Sequence, residues 1–521
     1  MTKPIELLFQ SERIIEALQT SSNQLARSSV LKLALISFDH HNQSAHDKEI
    51  EFGADDVLSN CLRRAVAFNS KSAETYRLLR LLEMVYRCSD SVASMSLSRN
   101  GFSLLPLLIK TAASDAFSRR CQQSSLEILG RFQSISASLS QMENFDLLLV
   151  AIVRFLRSYT GDFRRCALVA LNCIITHESD RAIAMRYPGL IDAVIAETRG
   201  CEAELATAIS YLTWSSENKA AFVKTKGSLD VVLQLNSSKK IDIVCATCTS
   251  IQNLSSEHSV RMDLVEFQSG ELIKQFKKLL RGDNVEIKVK VLQILSNLIE
   301  EATANSIAKS DGLIELLGDI GSACYPLPAS ILAARAIKRL STYIETRHHR
   351  HQALCDALVK LSKNSEKNLD VSLWTARAYI EQSLKISTSF LIVRSETILD
   401  GLLILTKSQH ARVRDAALEA VANLFQECAN AKRLSKSKKV LNILVRCIDS
   451  DISENNSANE RREAVRAALL LAQNLNETTS KWVARQSGLV QSLSKYGTSV
   501  DGDVELKQAA LYGVLALAPS I

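Results

Sequence analysis

The sequence predicts an all-α protein, a right-handed α-solenoid of about 11–12 units of about 42 residues each. The 521-residue chain contains only 17 Gly and 6 Pro, and 46% of its residues are hydrophobic, a composition that favours helices over strands or disorder. Short apolar segments also recur along it at a nearly constant interval. Since the chain exceeds the size at which one compact core keeps growing, a repeat array accommodates it better than a single globule.

The recurring segment is a triplet of mostly large apolar residues spaced three apart, which marks the buried stripe of a long helix. In the centre of the chain, consecutive triplets end one repeat length apart, at Leu212, Leu254, Leu298 and Leu340. A copy within residues 374–384 is present but irregular. The regular triplets are Leu126/Leu129/Phe132, Leu168/Leu171/Ile174, Ala206/Ile209/Leu212, Cys248/Ile251/Leu254, Leu292/Leu295/Leu298, Ala334/Ile337/Leu340, Leu418/Val421/Leu424, Leu469/Ala472/Leu475 and Leu511/Val514/Leu517.

Glycines precede most of the triplet ends by one half to three quarters of a repeat and predict sharp helix-to-helix corners. They are Gly101, Gly189, Gly227, Gly270, Gly312, Gly401 and Gly488. Each unit is therefore predicted to contain a short first helix, a glycine corner, a middle helix, a polar turn and a long third helix.

Residues 270–299 carry this pattern most completely, with a glycine, a leucine-rich middle helix and a third helix ending in Asn-Leu. This stretch resembles the armadillo repeat family, and the glycine corners favour that family over the related HEAT repeat. The resemblance implies that the third helices line a concave groove that holds an extended segment of another protein. Cofactors and metals are not implied.

The predicted organisation is one repeat array over residues 1–521. Residues 1–20 form an N-terminal capping helix, residues 21–100 less regular N-terminal repeats, and residues 101–345 regular repeats. Residues 346–400 form an irregular repeat, and residues 401–521 the C-terminal repeats with an acidic loop at 449–459. Single units cannot bury their own stripes, so stacking between neighbours must stabilise the array.

Under the resemblance, the positions one and five before each triplet end face the partner. Carboxamides there suit an extended peptide, because one amide both donates to and accepts from its backbone. Nearby cations favour an acidic or phosphorylated segment. The residues so assigned are Asn253, Gln293, Asn297, Arg335, Arg339, Asn423 and Asn474, and Lys290 is predicted to lie on the same face. Two alternatives stay open: the asparagines cap or bridge helix ends, and the two arginines pair with acidic neighbours.

Other motifs indicate no catalytic, cofactor or metal site. Cys245 and Cys248 form a lone Cys-x-x-Cys, and the triplet register makes Cys248 a buried thiol. His348, His349 and His351 are expected on the surface at a turn, and nucleotide-binding and nucleophile-elbow motifs are absent from the sequence. The basic run at 432–439 is expected to be a solvated helix edge, with a localisation or phosphate-binding patch as the alternative.

The sequence thus predicts a non-enzymatic interaction scaffold or adaptor in the cytoplasm, the nucleus or both. It contains no apolar run long enough to span a membrane, and its 63 basic residues are interleaved with 56 acidic ones. A karyopherin-like transport adaptor is one alternative, although tryptophans are missing at Thr249, Gln293 and Glu419, where importin alpha would carry them. A nucleic-acid-binding solenoid is a weaker alternative, and a salt-dependence measurement would separate it from the others.

Overall fold

The computed structural model describes residues 75–80, 82, 104–130, 145–158, 161–196, 199–323, 327–344, 348–364, 368–449, 458–486, 488–499 and 503–518. Within these ranges every regular element is a helix. The predicted capping helix at 1–20, the repeats at 21–74, Gly101, Phe132 and most of the acidic loop lie outside the described residues. The chain divides into two compact units, Met1–Val260 and Arg261–Ile521.

Besides the helical residues at 75–80 and 82, the described part of the first unit contains ten α-helices and a 3-10 turn at His258–Val260. They are α1 Leu104–Ala113, α2 Arg119–Leu129, α3 Phe145–Ser158, α4 Asp162–Ile174, α5 Glu178–Arg186, α6 Leu190–Ile195, α7 Glu202–Leu212, α8 Ser216–Lys224, α9 Ser228–Asn236 and α10 Ile241–Ser255. The third helices α2, α4, α7 and α10 pack in this order, each on the next.

The second unit continues the pattern. Its described helices are α11 Arg261–Glu266, α12 Glu271–Arg281, α13 Val285–Leu298, α14 Ala304–Ala308, α15 Leu313–Ser322, α16 Leu327–Tyr343, α17 His348–Lys363, α18 Leu369–Leu384, α19 Ile386–Arg394, α20 Glu396–Leu405, α21 Ala411–Leu424, α22 Cys428–Leu434, α23 Lys438–Asp449, α24 Ala458–Asn474, α25 Glu477–Gln486, α26 Leu489–Gly497 and α27 Val504–Leu517. Here α13, α16, α18, α21, α24 and α27 are the third helices, and each packs on the next.

The glycine corners are confirmed at five of the six described positions, where a positive φ lets the chain turn between the first and middle helices. Gly312, with φ of 73°, separates α14 from α15 in this way. The prediction for Gly401 is wrong. This glycine lies inside α20, where a Cβ atom would stand 2.8 Å from the hydroxyl of Tyr379, so close packing and not a turn explains it.

The predicted buried stripes are confirmed in α4, α7, α10, α13, α16 and α21, whose triplet residues are at most 2% exposed. Two later stripes were predicted in the wrong register. In α24 the buried residues include Val465, Ala468 and Leu471, because the segment before this helix is longer than in the other units. In α27 Ala510 and Gly513 are buried, whereas Leu511 is 38% exposed.

The irregular unit at 346–400 lacks a short first helix, since α17 follows α16 directly and occupies the place of a middle helix. It packs on the middle helices α15 and α20, while α18 packs on the third helices α16 and α21. The expectation of surface histidines is consequently wrong for His351, which is buried within α17. A deleted helix, not a distorted one, makes this copy irregular.

Candidate functional site

The solvent-facing side of the third helices in the second unit presents two rows of side chains, each row with one member per repeat. Since α13, α16, α18 and α21 pack on one another in sequence, equivalent positions on them lie side by side. One row contains Gln293, Arg335, Arg377 and Glu419, and the other contains Asn297, Arg339, Glu381 and Asn423. We call the part of this face formed by α13, α16 and α18 the cationic face.

At the centre of the cationic face, two arginines flank one indole. The guanidinium carbon of Arg335 on α16 lies 5.8 Å from the ring centroid of Trp374 on α18, and that of Arg377 lies 5.2 Å from the same centroid. Both arginines are exposed. Among the described residues, neither forms an ion pair with a carboxylate. The indole therefore holds two guanidiniums in place, and within the described part of the chain neither of them is paired with a carboxylate.

Arg339 has a different environment from Arg335, one turn away on the same helix. Its Nε donates to the carbonyl of Ile299, 2.9 Å away, at the end of the preceding third helix. Burial lowers the pKa of the Arg339 guanidinium, and the positive charges of Arg335 and Arg261 lower it further. The guanidinium thus bridges two units while adding positive charge beside Arg335.

Helix α13 supplies the carboxamides of the cationic face and one lysine. Gln293 and Asn297 are partly exposed, and Lys290 Nζ lies 3.9 Å from the exposed carboxylate of Glu286 one turn earlier. An ion pair of this length between solvent-accessible groups contributes little stability and leaves the ammonium within reach of a ligand. The structure therefore brings Lys290, Gln293 and Asn297 onto the same face as Arg335 and Arg339.

Beyond Arg377 the side chains on this face include several carboxylates. Glu381 accepts from Lys338 at 3.1 Å, and Glu463 pairs with Arg466 at 2.9 Å. Burial raises the pKa of the Glu419 carboxyl, the charge of Glu463 raises it further, and Arg466 opposes both effects. The cationic region therefore ends at α18.

The carboxamides are partly engaged within the fold. Asn423 is 3% exposed and its Oδ1 accepts from Arg466 Nη2 at 3.0 Å, so, contrary to the prediction, its side chain is not presented to a partner. Asn474 Nδ2 donates to the carbonyl of Phe425 at 3.0 Å. In the first unit, Asn253 Nδ2 donates to the carbonyl of Ser210 at 3.0 Å. Bridging between the ends of adjacent third helices accordingly occupies one donor of Asn253 and one of Asn474.

Sequence reasoning missed Arg377 and Trp374, although a signal for Arg377 was present. Arg377 follows Arg335 by one repeat length, so applying the same spacing to the irregular unit would have identified it. Trp374 precedes Arg377 by three residues on the same helix, which places both side chains on one face. The interaction of the ring with Arg335 could not be read from spacing alone.

The cysteine motif and the basic run both contact neighbouring side chains of the fold. Cys248 is buried, as predicted, and its thiol lies 3.6 Å from Asn236 Oδ1. The basic run begins in α22 and ends in α23, where Lys439 Nζ contacts Asp400 at 2.9 Å and Glu396 at 3.2 Å. Across the described ranges, no group of three His, Cys, Asp or Glu side chains is arranged to hold a metal ion. A helix long and apolar enough to cross a membrane is likewise missing from the described part of the chain.

Comparison with known proteins places the fold. No family model and no curated protein matches the sequence. Among solved structures, an engineered protein from a structural genomics programme shares 19% identity with a TM-score of 0.54, covering 79% of this chain and 98% of its own. A chain from a study of a phosphorylation switch that controls the interaction between cadherin and beta-catenin shares 14% identity with a TM-score of 0.62, covering 97% of this chain and 99% of its own.

The second of these neighbours is an armadillo-repeat protein, and its likeness extends over nearly the whole chain. At identities below one in five, this likeness is one of fold. The chain is an all-α solenoid.

Proposed function

We propose that this protein is a non-enzymatic scaffold that binds an extended acidic or phosphorylated segment of another protein on the cationic face. The observation that carries the proposal is the arrangement of Arg335 and Arg377 around Trp374. Both guanidiniums are exposed and held by the ring, so little side-chain entropy remains to be lost when an anion binds.

The surroundings suit an extended ligand. Gln293 lies one period before Arg335 and is partly exposed, so its amide can donate to and accept from a peptide backbone. Adjacent third helices lie about 8–10 Å apart, a distance that one turn of a polyproline II chain spans with three residues at about 3.1 Å each, and every third side chain of such a chain points to the same side. An acidic residue at every third position of the ligand would therefore meet the arginines of successive units.

The phosphorylation switch described for the cadherin and beta-catenin interaction supports testing a phosphorylated ligand as well. A phosphoserine carries more negative charge than a carboxylate and has three acceptor oxygens, and guanidinium pairs bind such groups bidentately. The same two arginines would then bind the phosphorylated form more tightly than the unmodified one.

The test uses a fluorescein-labelled twelve-residue peptide with Glu at every third position, a second with phosphoserine at two of those positions, and a third with Lys. Fluorescence anisotropy on the full chain should show binding of the first two and not of the third. In the Arg335→Glu/Arg377→Glu variant, affinity for the acidic peptide should fall at least about tenfold.

A matched control separates a site from general electrostatics. Lys274→Glu/Lys278→Glu makes the same change of net charge at exposed residues of the middle helix α12. It should retain the affinity of the unaltered protein. Equal losses in the two variants, or full affinity in Arg335→Glu/Arg377→Glu, would contradict the proposal.

A further inference from the structure

Arg181 on α5 is a buried arginine whose guanidinium lacks a hydrogen-bond acceptor. The residue is 8% exposed, and its Nε is enclosed without a partner. Across the described ranges the guanidinium forms no hydrogen bond or ion pair, although Glu178 lies one turn earlier on the same helix. Its carbon lies over the indole of Trp214, 5.7 Å from the ring centroid. An unpaired charge at this depth destabilises a fold unless an anion compensates it.

The buried arginine is the fourth residue of its first helix, and the same position in the next two repeats also carries a cation. Lys219 on α8 donates to Ser256 Oγ at 2.7 Å. Arg261, the fourth residue counted from the 3-10 turn before α11, pairs with Glu300. Both acceptors lie two residues after the buried triplet of the third helix. In the repeat of the buried arginine Trp214 occupies that place, so an indole replaces the oxygen acceptor.

The arginine and the indole are open to solvent on one side. Trp214 is 59% exposed, and one face of its ring is free because the guanidinium lies over the other. Among the guanidinium nitrogens of Arg181, Nε is the one that is enclosed without a partner, so both Nη groups can be reached by a ligand. The pair therefore offers two charged donors and an aromatic face at one opening.

We infer that Arg181 and Trp214 form a second binding site, for a segment of another protein in which an acidic residue adjoins an aromatic one. The carboxylate would accept from both Nη groups, and the aromatic ring would stack on the free face of the indole. Since these contacts lie on different sides of the indole, the acid and the ring must belong to neighbouring residues. The site lies in the first unit and the cationic face in the second, so the inference stands without the proposed function.

Fluorine NMR on the full chain labelled with 5-fluorotryptophan tests the inference, because the chain contains only three tryptophans. Substitution of each tryptophan by phenylalanine assigns its resonance. Titration with the peptide acetyl-Gly-Glu-Phe-Gly-amide should shift the Trp214 resonance to a plateau. Peptides with Gln in place of Glu, or Ala in place of Phe, should bind at least about tenfold more weakly. The Trp374 resonance reports on the cationic face, so failure at one site is distinguishable from failure at the other.

Arg181→Met removes the charge and keeps a long apolar side chain against the indole. It should weaken binding of the Glu-Phe peptide at least about tenfold. Its melting temperature should be unchanged or higher, because a buried charge without a partner is removed. Lys219→Met makes the same change at the equivalent position of the next repeat and is the matched control, which should retain the affinity for the peptide.

Three results would each overturn the inference: a Trp214 resonance that does not move at up to about 1 mM peptide, equal binding of the Gln-containing peptide, or full affinity in Arg181→Met. A lower melting temperature of Arg181→Met would show that the fold already compensates the charge, and it would overturn the inference as well.

Discussion

The Nε of Arg339 donates to the carbonyl of Ile299 across the boundary between two repeats, 2.9 Å away, whereas Arg335 one turn earlier stacks on Trp374. Two arginines that the sequence pattern treats alike therefore have different roles. Arg339 is part of the contact between units, and Arg335 presents its charge to solvent.

We expect Arg339→Met to lower the free energy of unfolding by about 1 kcal/mol, because the Ile299 carbonyl loses its side-chain donor. Arg335→Met should change it by less than about 0.5 kcal/mol, as is usual for exposed side chains. Urea denaturation followed by circular dichroism measures both. Equal effects of the two changes would show that the bridge to Ile299 does not stabilise the contact.

Leu295 lies in the centre of α13 and is fully buried. Leu295→Ala should lower the free energy of unfolding by about 2 to 5 kcal/mol, since stacked units relax only partly into the cavity. Val285→Ala, at the exposed start of the same helix, is the matched control and should cost less than about 0.5 kcal/mol. Urea titration of the two variants gives the comparison, and a silent Leu295→Ala would refute the packing register.

Glu419 provides a test of the electrostatics beyond the cationic face. Its pKa is raised by burial and by Glu463, with a further contribution from Glu381 and an opposing one from Arg466. A carboxyl with a higher pKa in the folded state than in the unfolded state loses stability as pH rises from the unfolded pKa through the folded one. The loss then persists at neutral pH.

Glu419→Gln should therefore raise the melting temperature at pH 7 and have a smaller effect at pH 4. Glu286→Gln, at a side chain that is 67% exposed, is the control and should show no such difference. Differential scanning calorimetry at the two pH values is the measurement. An equal effect of Glu419→Gln at both pH values would rule out the repulsion from Glu463 and Glu381 as its cause.

The fold was predictable from the sequence wherever the repeat lattice was uninterrupted, because spacing alone determines which side of a third helix is buried. It was not predictable where a unit gains or loses residues. No first helix precedes α17, so α17 takes the place of a middle helix and its His351 is buried. The segment before α24 is longer than in other units, and the buried stripe of α24 includes Leu471 instead of the predicted residues. The corner predicted at Gly401 was wrong for another reason. A glycine that is required inside a helix by close packing on Tyr379 cannot be distinguished in the sequence from a glycine at a turn.

The candidate site was predictable only in part. Spacing placed Gln293, Arg335 and Arg339 on one face, and the same spacing would have added Arg377. It could not show that Asn423 is buried, or that Arg339 bridges to the Ile299 carbonyl, because these features depend on side-chain contacts between units.

The most direct test of the account is the preference between the Glu-containing and Lys-containing peptides, measured by anisotropy on the unaltered chain and on Arg335→Glu/Arg377→Glu. If these two residues set the charge selectivity of the cationic face, the unaltered chain should prefer the acidic peptide and the variant should prefer the basic one. Each preference should be at least about tenfold, the size expected for close charge pairs. An unchanged preference for the acidic peptide in the variant would contradict the account.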